Sequence, residues 1–116
     1  MKFLFFTPAA SSSAIGRVTR LVGRELMASG HAVTIVRTED YALLGTSPHQ
    51  FGTKMVGWDD TEGVFRVARD ADAIVYQIGD SFPFHRGCLE WLPSLPGIVC
   101  LHDYFLGDLF RGWAGA

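Results

Sequence analysis

Apolar residues fall along this chain in two rhythms. Short continuous runs, rich in β-branched and aromatic residues, occur at Lys2–Thr7, 31–36, 54–57, 73–77 and Ile98–Leu101. Runs of this length without polar alternation predict parallel strands buried on both faces. Elsewhere apolar residues recur at three- and four-residue spacing, which predicts helices. Ile15, Val18, Val22 and Leu26 make such a stripe within 15–29, with Leu21 and Met27 widening it and Gly30 ending it. Val64, Phe65 and Ala68 mark a helix over 58–69, the segment 83–91 a third, and 104–113 a last one carrying Phe105, Leu106, Leu109, Phe110 and Trp113. The segment 37–53 has no period and reads as a long loop with one helical turn at 41–44.

Strands alternating with helices predict an α/β fold, a Rossmann-like doubly wound parallel sheet of five strands. Right-handed crossovers give the default order 3-2-1-4-5. The clearest unit is the strand–helix–strand from residue 73 to 103. Its first strand stops at Gly79-Asp80-Ser81 and its second at His102-Asp103. Ligands of open α/β sheets bind beyond the carboxyl ends of strands where the order reverses. That brings the loop 9–14, with Ser11, Ser12 and Ser13 as alternative caps for the next helix, beside Gly79–Ser81.

Length and composition narrow the class. The chain has 116 residues, 48% hydrophobic and 19% charged, enough for one domain with one core. A net charge of -2 gives no electrostatic footprint for nucleic acid. Cys88 and Cys100 sit in no metal-ligand spacing, and both read as buried reduced thiols. Met1-Lys2 followed by Phe3–Phe6 begins like a secretory signal. Four apolar residues before Thr7-Pro8 are too few for its core, and the run reads as a strand.

Several polar groups have two readings each. Asp80 can accept from a ligand hydroxyl or cap the helix that follows. His85 in that helix's first turn reads as a packing residue or a ligand contact. Asp59-Asp60 lacks the spacing of an Asp-x-Asp metal motif, and Asp59 with Glu62 reads as a capping box. Thr38-Glu39-Asp40 after the second strand is a weak ribose-binding candidate, since no Gly-x-Gly-x-x-Gly fingerprint precedes it. Arg17, Arg20 and Arg24 share one helix face. They read as a solvated surface or as a contact for a phosphorylated acceptor or anionic lipid headgroups. His31 reads as structural, at a loop-to-strand junction.

The sequence Lys-Phe-Leu-Phe-Phe-Thr-Pro, the small-residue loop, Ala-Ser-Gly-His-Ala-Val-Thr-Ile-Val, Tyr-Gln-Ile-Gly-Asp-Ser and Pro-Gly-Ile-Val-Cys-Leu-His-Asp together resemble the N-terminal domain of GT-B glycosyltransferases, nearest to glycosyltransferase family 4. The resemblance implies the acceptor-side half of a two-domain enzyme that moves a sugar from a nucleotide-sugar donor to an acceptor hydroxyl of a small molecule, lipid or glycan. It implies a separate donor domain, absent from this chain, and hence an inactive fragment. It implies a catalytic role for His102 on the transferred sugar, and a substrate-binding role for Ser13 and Gly16 in the loop facing the donor diphosphate. It also implies one for Gly79, Asp80, Ser81, His85 and Asp103 on the acceptor side. Ala14-Ile15-Gly16 departs from the family's paired glycines. No metal or redox cofactor is implied, and the expected compartment is the cytoplasm, with peripheral contact at the inner membrane face.

Two other classes remain. One is a stand-alone flavodoxin-like binding or signalling module, although Thr7 and Trp58 stand where a phosphoacceptor receiver needs aspartates. The other is a nucleotide-binding oxidoreductase half. The apolar segment 104–113 further predicts a homodimer of the isolated chain, with that helix in the contact.

Overall fold

A computed structural model describes all residues, 1–116. Strand β1 (Lys2–Thr7) leads to helix α1 (Ala14–Ala28) and strand β2 (Ala32–Arg37). A long connection reaches β3 (Met55–Gly57), then α2 (Thr61–Arg69), β4 (Ala73–Ile78), α3 (Phe82–Trp91), β5 (Ile98–Leu101) and α4 (Gly107–Ala114). All strand pairs are parallel and the order is β3-β2-β1-β4-β5, the order that alternating elements and right-handed crossovers predict.

Register decides which side chains meet. Phe3 lies between Val33 and Ala73, and Tyr76 lies beside Val99. One face of the sheet carries Leu4, Phe6, Val36, Tyr76 and Ile78 against Val64, Cys88, Trp91 and Leu109 of the helices α2, α3 and α4. The other carries Phe5, Val33 and Ile35, with Leu26 and Met27 of α1 packed on them. Fully burying one such side chain contributes about 1.5–3 kcal/mol, so these two layers dominate the stability.

Helix α1 is turned differently from its apolar stripe. It buries Gly16, Thr19 and Gly23 against the sheet, while Val18, Leu21 and Val22 remain 40–47% exposed. The cause is close approach. A Cβ on Gly16 would lie 2.6 Å from the Pro8 carbonyl oxygen, so from Gly16 to Gly23 small residues face the strands while Val18, Leu21 and Val22 ride outside.

Strand β5 departs further from expectation. All four of its residues are exposed, with Ile98 at 62% and Leu101 at 55%. It is an edge strand, and no helix of this chain lies over its outer half. Cys100 is consequently exposed and not buried, whereas Cys88 is buried, with desolvation pushing its thiol pKa well up.

Two helix starts also differ. Helix α2 begins at Thr61, because Asp60 and not Asp59 caps it, with Oδ1 accepting from Gly63 N–H at 3.0 Å. Trp58 is buried instead, its indole N–H donating to the Glu39 carbonyl. Helix α4 begins at Gly107, three residues later than the apolar pattern predicts. Residues 102–106 form an irregular connection in which Tyr104 and Phe105 stand exposed. No helix is long and apolar enough to cross a membrane.

Candidate functional site

The carboxyl ends of β1, β4 and β5 bring the sequence's polar clusters together, at the point where strand order reverses. Asp80 N–H donates to Asp103 Oδ2 at 2.8 Å, which ties the turn after β4 to the turn after β5. Asp80 Oδ1 in turn accepts from Asp108 N–H at 3.0 Å and Leu109 N–H at 3.1 Å. Asp80 is therefore a helix cap, but of α4 and not of the helix that follows it in sequence. Helix α4 has no cap of its own, since Leu106 stands at its N-cap position. A carboxylate there also meets the positive end of the helix dipole.

His85 holds the same turn from below. Its Nδ1–H donates to the Gln77 carbonyl at 3.0 Å, and its Nε2 accepts from Gly79 N–H at 3.2 Å. Both ring nitrogens are thus used, and the ring is 2% exposed. Burial pulls its pKa from 6.5 down to about 4, with the nearby His102 adding to the fall. The Gln77 hydrogen bond and the Asp103 charge oppose it. The ring is a neutral bracket for the turn, and it also lines the smaller of the two hollows above it. A side chain on Gly79 would displace its neighbours: a Cβ would lie 2.7 Å from Ile15 Cδ1, 2.9 Å from Asp103 Oδ2 and 3.0 Å from His85 Nε2.

Two adjoining hollows open above this turn. One, about 620 Å³, runs from Asp80, Ser81 and Asp103 to Asp108 and Arg111 of α4. The other, about 210 Å³, runs from the same three residues to Ser12, Ser13 and Ile15. Together they form a cleft whose polar groups are carboxylates and hydroxyls, set among the apolar Phe82, Pro83, Ile15 and Phe84. Its one cation, Arg111, is exposed and paired with Asp108 at 3.2 Å. Ser81 caps α3 by position, yet its side chain makes no capping bond. No group of three or more His, Cys, Asp or Glu residues is arranged to hold a metal ion.

The loop after β1 is committed elsewhere. Glu39 is fully buried, and its carboxylate accepts from Ala9 N–H at 2.9 Å and Ala10 N–H at 2.6 Å. Arg37 Nη2 donates to the same carboxylate at 3.2 Å. Arg37 Nε lies as close to Oε1, but is too poorly aligned to bond it. Ser13 is the cap of α1, accepting from Gly16 N–H at 3.0 Å. The backbone N–H groups of Ala9, Ala10, Ser11, Ser13 and Gly16 are thus satisfied from within the chain. Gly16 is there for packing against Pro8. Glu39 is a clamp and does not reach a ribose. Of the three helix arginines, Arg17 and Arg24 are free at the surface, while Arg20 donates to the Gln50 carbonyl at 3.0 Å. His31 pairs with the N-terminal amine at 2.9 Å, the structural role its position suggests.

His102 lines neither hollow. It sits half-buried on the α1 side of the sheet, with Nε2 2.8 Å from Gln77 Oε1. Behind it runs a buried polar row the sequence reading missed: Gln77 Nε2 to Thr19 Oγ1 at 3.2 Å, and Thr19 Oγ1 to Thr7 Oγ1 at 2.8 Å. One signal was available. A glutamine inside the apolar run Ala-Ile-Val-Tyr-Gln-Ile must find partners once buried, so it announces a polar neighbour. Protein-family models, curated proteins and solved structures give no match to the chain.

Proposed function

We propose that the chain is the acceptor-side domain of a nucleotide-sugar-dependent glycosyltransferase. The observation that carries this reading is the joined pair of strand ends, Asp80 on Asp103, at the floor of a cleft whose polar lining is carboxylates and hydroxyls beside aromatic and aliphatic walls. Such groups accept from and donate to sugar hydroxyls, and they disfavour a diphosphate. The reading therefore gives the donor's diphosphate to a second domain, and the acceptor to this one. The acceptor hydroxyl, oriented by Ser81 and the free oxygens of Asp80 and Asp103, attacks the anomeric carbon of the donor sugar. The bond from that carbon to the diphosphate breaks, and the hydroxyl proton leaves with the diphosphate. His102 meets the transferred sugar from the α1 side. The protein then works in the cytoplasm, with Arg17 and Arg24 available to the headgroups of a lipid-borne acceptor.

The loop after β1 weighs against a flavodoxin-like module or an oxidoreductase half. Both would point the N–H groups of that loop at a ligand phosphate, and Glu39 holds two of them. Calorimetry of this chain with uridine- and guanosine-diphosphate sugars tests the assignment. Binding weaker than micromolar is expected. Micromolar binding, about -8 kcal/mol, would place the donor site here and overturn it.

A further inference from the structure

The row Thr7–Thr19–Gln77–His102 crosses three elements and ends at a ring whose proton has two places to sit. Thr7 and Gln77 project from neighbouring strands onto the face that α1 covers, and Thr19 comes down from α1 between them. Thr7 and Thr19 are fully buried and Gln77 is 4% exposed. Thr19 has the Ile15 carbonyl at 3.1 Å and Thr7 Oγ1 at 2.8 Å as acceptors for its one hydroxyl proton, and Thr7 has the Pro8 carbonyl at 3.0 Å for its own. Either way the Thr19 oxygen is left to accept from Gln77 Nε2, at 3.2 Å. An amide held by its nitrogen must turn its oxygen the other way. Gln77 Oε1 accordingly faces His102 Nε2 at 2.8 Å, and an oxygen there requires a proton on that nitrogen.

We infer that Gln77, anchored by Thr19, is a positioning residue that holds His102 as its Nε2–H tautomer and leaves the Nδ1 lone pair for a ligand. Nδ1 bonds nothing in the chain. Arg37 Nε is the sole buried side-chain polar atom without a partner, so Nδ1 opens to solvent. A bare Nδ1 accepts from a hydroxyl, whereas the other tautomer would donate there. The use of this lone pair rests on the glycosyltransferase reading, but the tautomer itself does not.

Ring-proton correlation spectra of the 15N-labelled chain read the tautomer directly, and His102→Gln identifies the signal. The expected spectrum has a slowly exchanging proton on Nε2 of His102 and an unprotonated Nδ1. Gln77→Met removes the acceptor, and the Nε2 proton signal should be lost to solvent exchange. Thr19→Val should weaken the same signal and Thr19→Ser should keep it. Those two variants decide the matter if Gln77→Met does not fold. A proton on Nδ1 in the parent chain overturns the inference. So does an Nε2 signal that is indifferent to both Gln77→Met and Thr19→Val. Titration with methyl α-glucoside separates the two readings: an unmoved Nδ1 resonance beside the expected tautomer counts against sugar contact and leaves the relay standing.

Discussion

At the residue scale, His85 shows how a group can be legible by position and opaque in role. Its place in the first turn of a helix beside a polar strand end marked it in the sequence. Only the structure shows both ring nitrogens already bonded, to Gln77 and Gly79. The pH consequence follows from its depressed pKa, 6.5 in the unfolded chain against about 4 in the fold. Between those values the unfolded chain takes up a proton that the folded chain refuses. Stability from this group is full above about pH 6.5, falls as pH drops through the window, and is spent by about pH 4. The shift corresponds to ~3 kcal/mol. Urea melts at pH 7 and pH 4.5 should show most of that loss, and His85→Gln should flatten the dependence. An equal pH slope in the variant would mean that another group carries it.

At the element scale, the parallel sheet and its order were legible because short apolar runs separated by helical periods admit few other arrangements. The rotation of α1 was not. Its stripe of Ile15, Val18 and Val22 outweighs Gly16 and Gly23 in any hydrophobic count, yet Gly16 allows a contact with Pro8 that a larger residue forbids. The start of α4 was hidden for a related reason, since its cap is Asp80, 28 residues earlier in the chain. Asp80→Ala should remove that cap and destabilise the chain by ~1 kcal/mol. Amide exchange at Asp108 and Leu109 should rise with it. Asp80→Asn keeps an acceptor and should preserve most of the protection. Unchanged exchange in Asp80→Ala would show that packing on α3, not the cap, fixes α4.

At the scale of the whole molecule, the apolar surface is unevenly distributed. Ile98 and Leu101 are exposed on the open edge strand, and Phe105 at 68% and Phe110 at 53% are exposed in the segment that follows it. The sequence expectation of an exposed apolar last helix thus holds for Phe110 and Trp113 but not for Leu109, which is 1% exposed in the core. An uncovered edge with no lysine or proline within it invites a second strand. The expected outcome is a dimer in equilibrium with monomer, its contact including β5 and α4. Light scattering over a concentration series should show the mass rising, and Leu101→Lys with Phe110→Glu should return it to the monomer. A strict monomer at millimolar concentration would mean that these side chains are tolerated in water singly.

The buried Glu39 has a consequence for how tightly the cleft can bind. Its carboxylate is tied to the chain two residues beyond β2, so it competes for the N–H groups of Ala9 and Ala10 at an effective concentration no free anion approaches. The loop behaves as though permanently saturated by a tethered ligand. Its conformational entropy has been surrendered during folding. A molecule entering the neighbouring cleft at Ser12, Ser13 and Asp80 meets a loop already anchored at its base, and less of its binding free energy is consumed in ordering that side of the site.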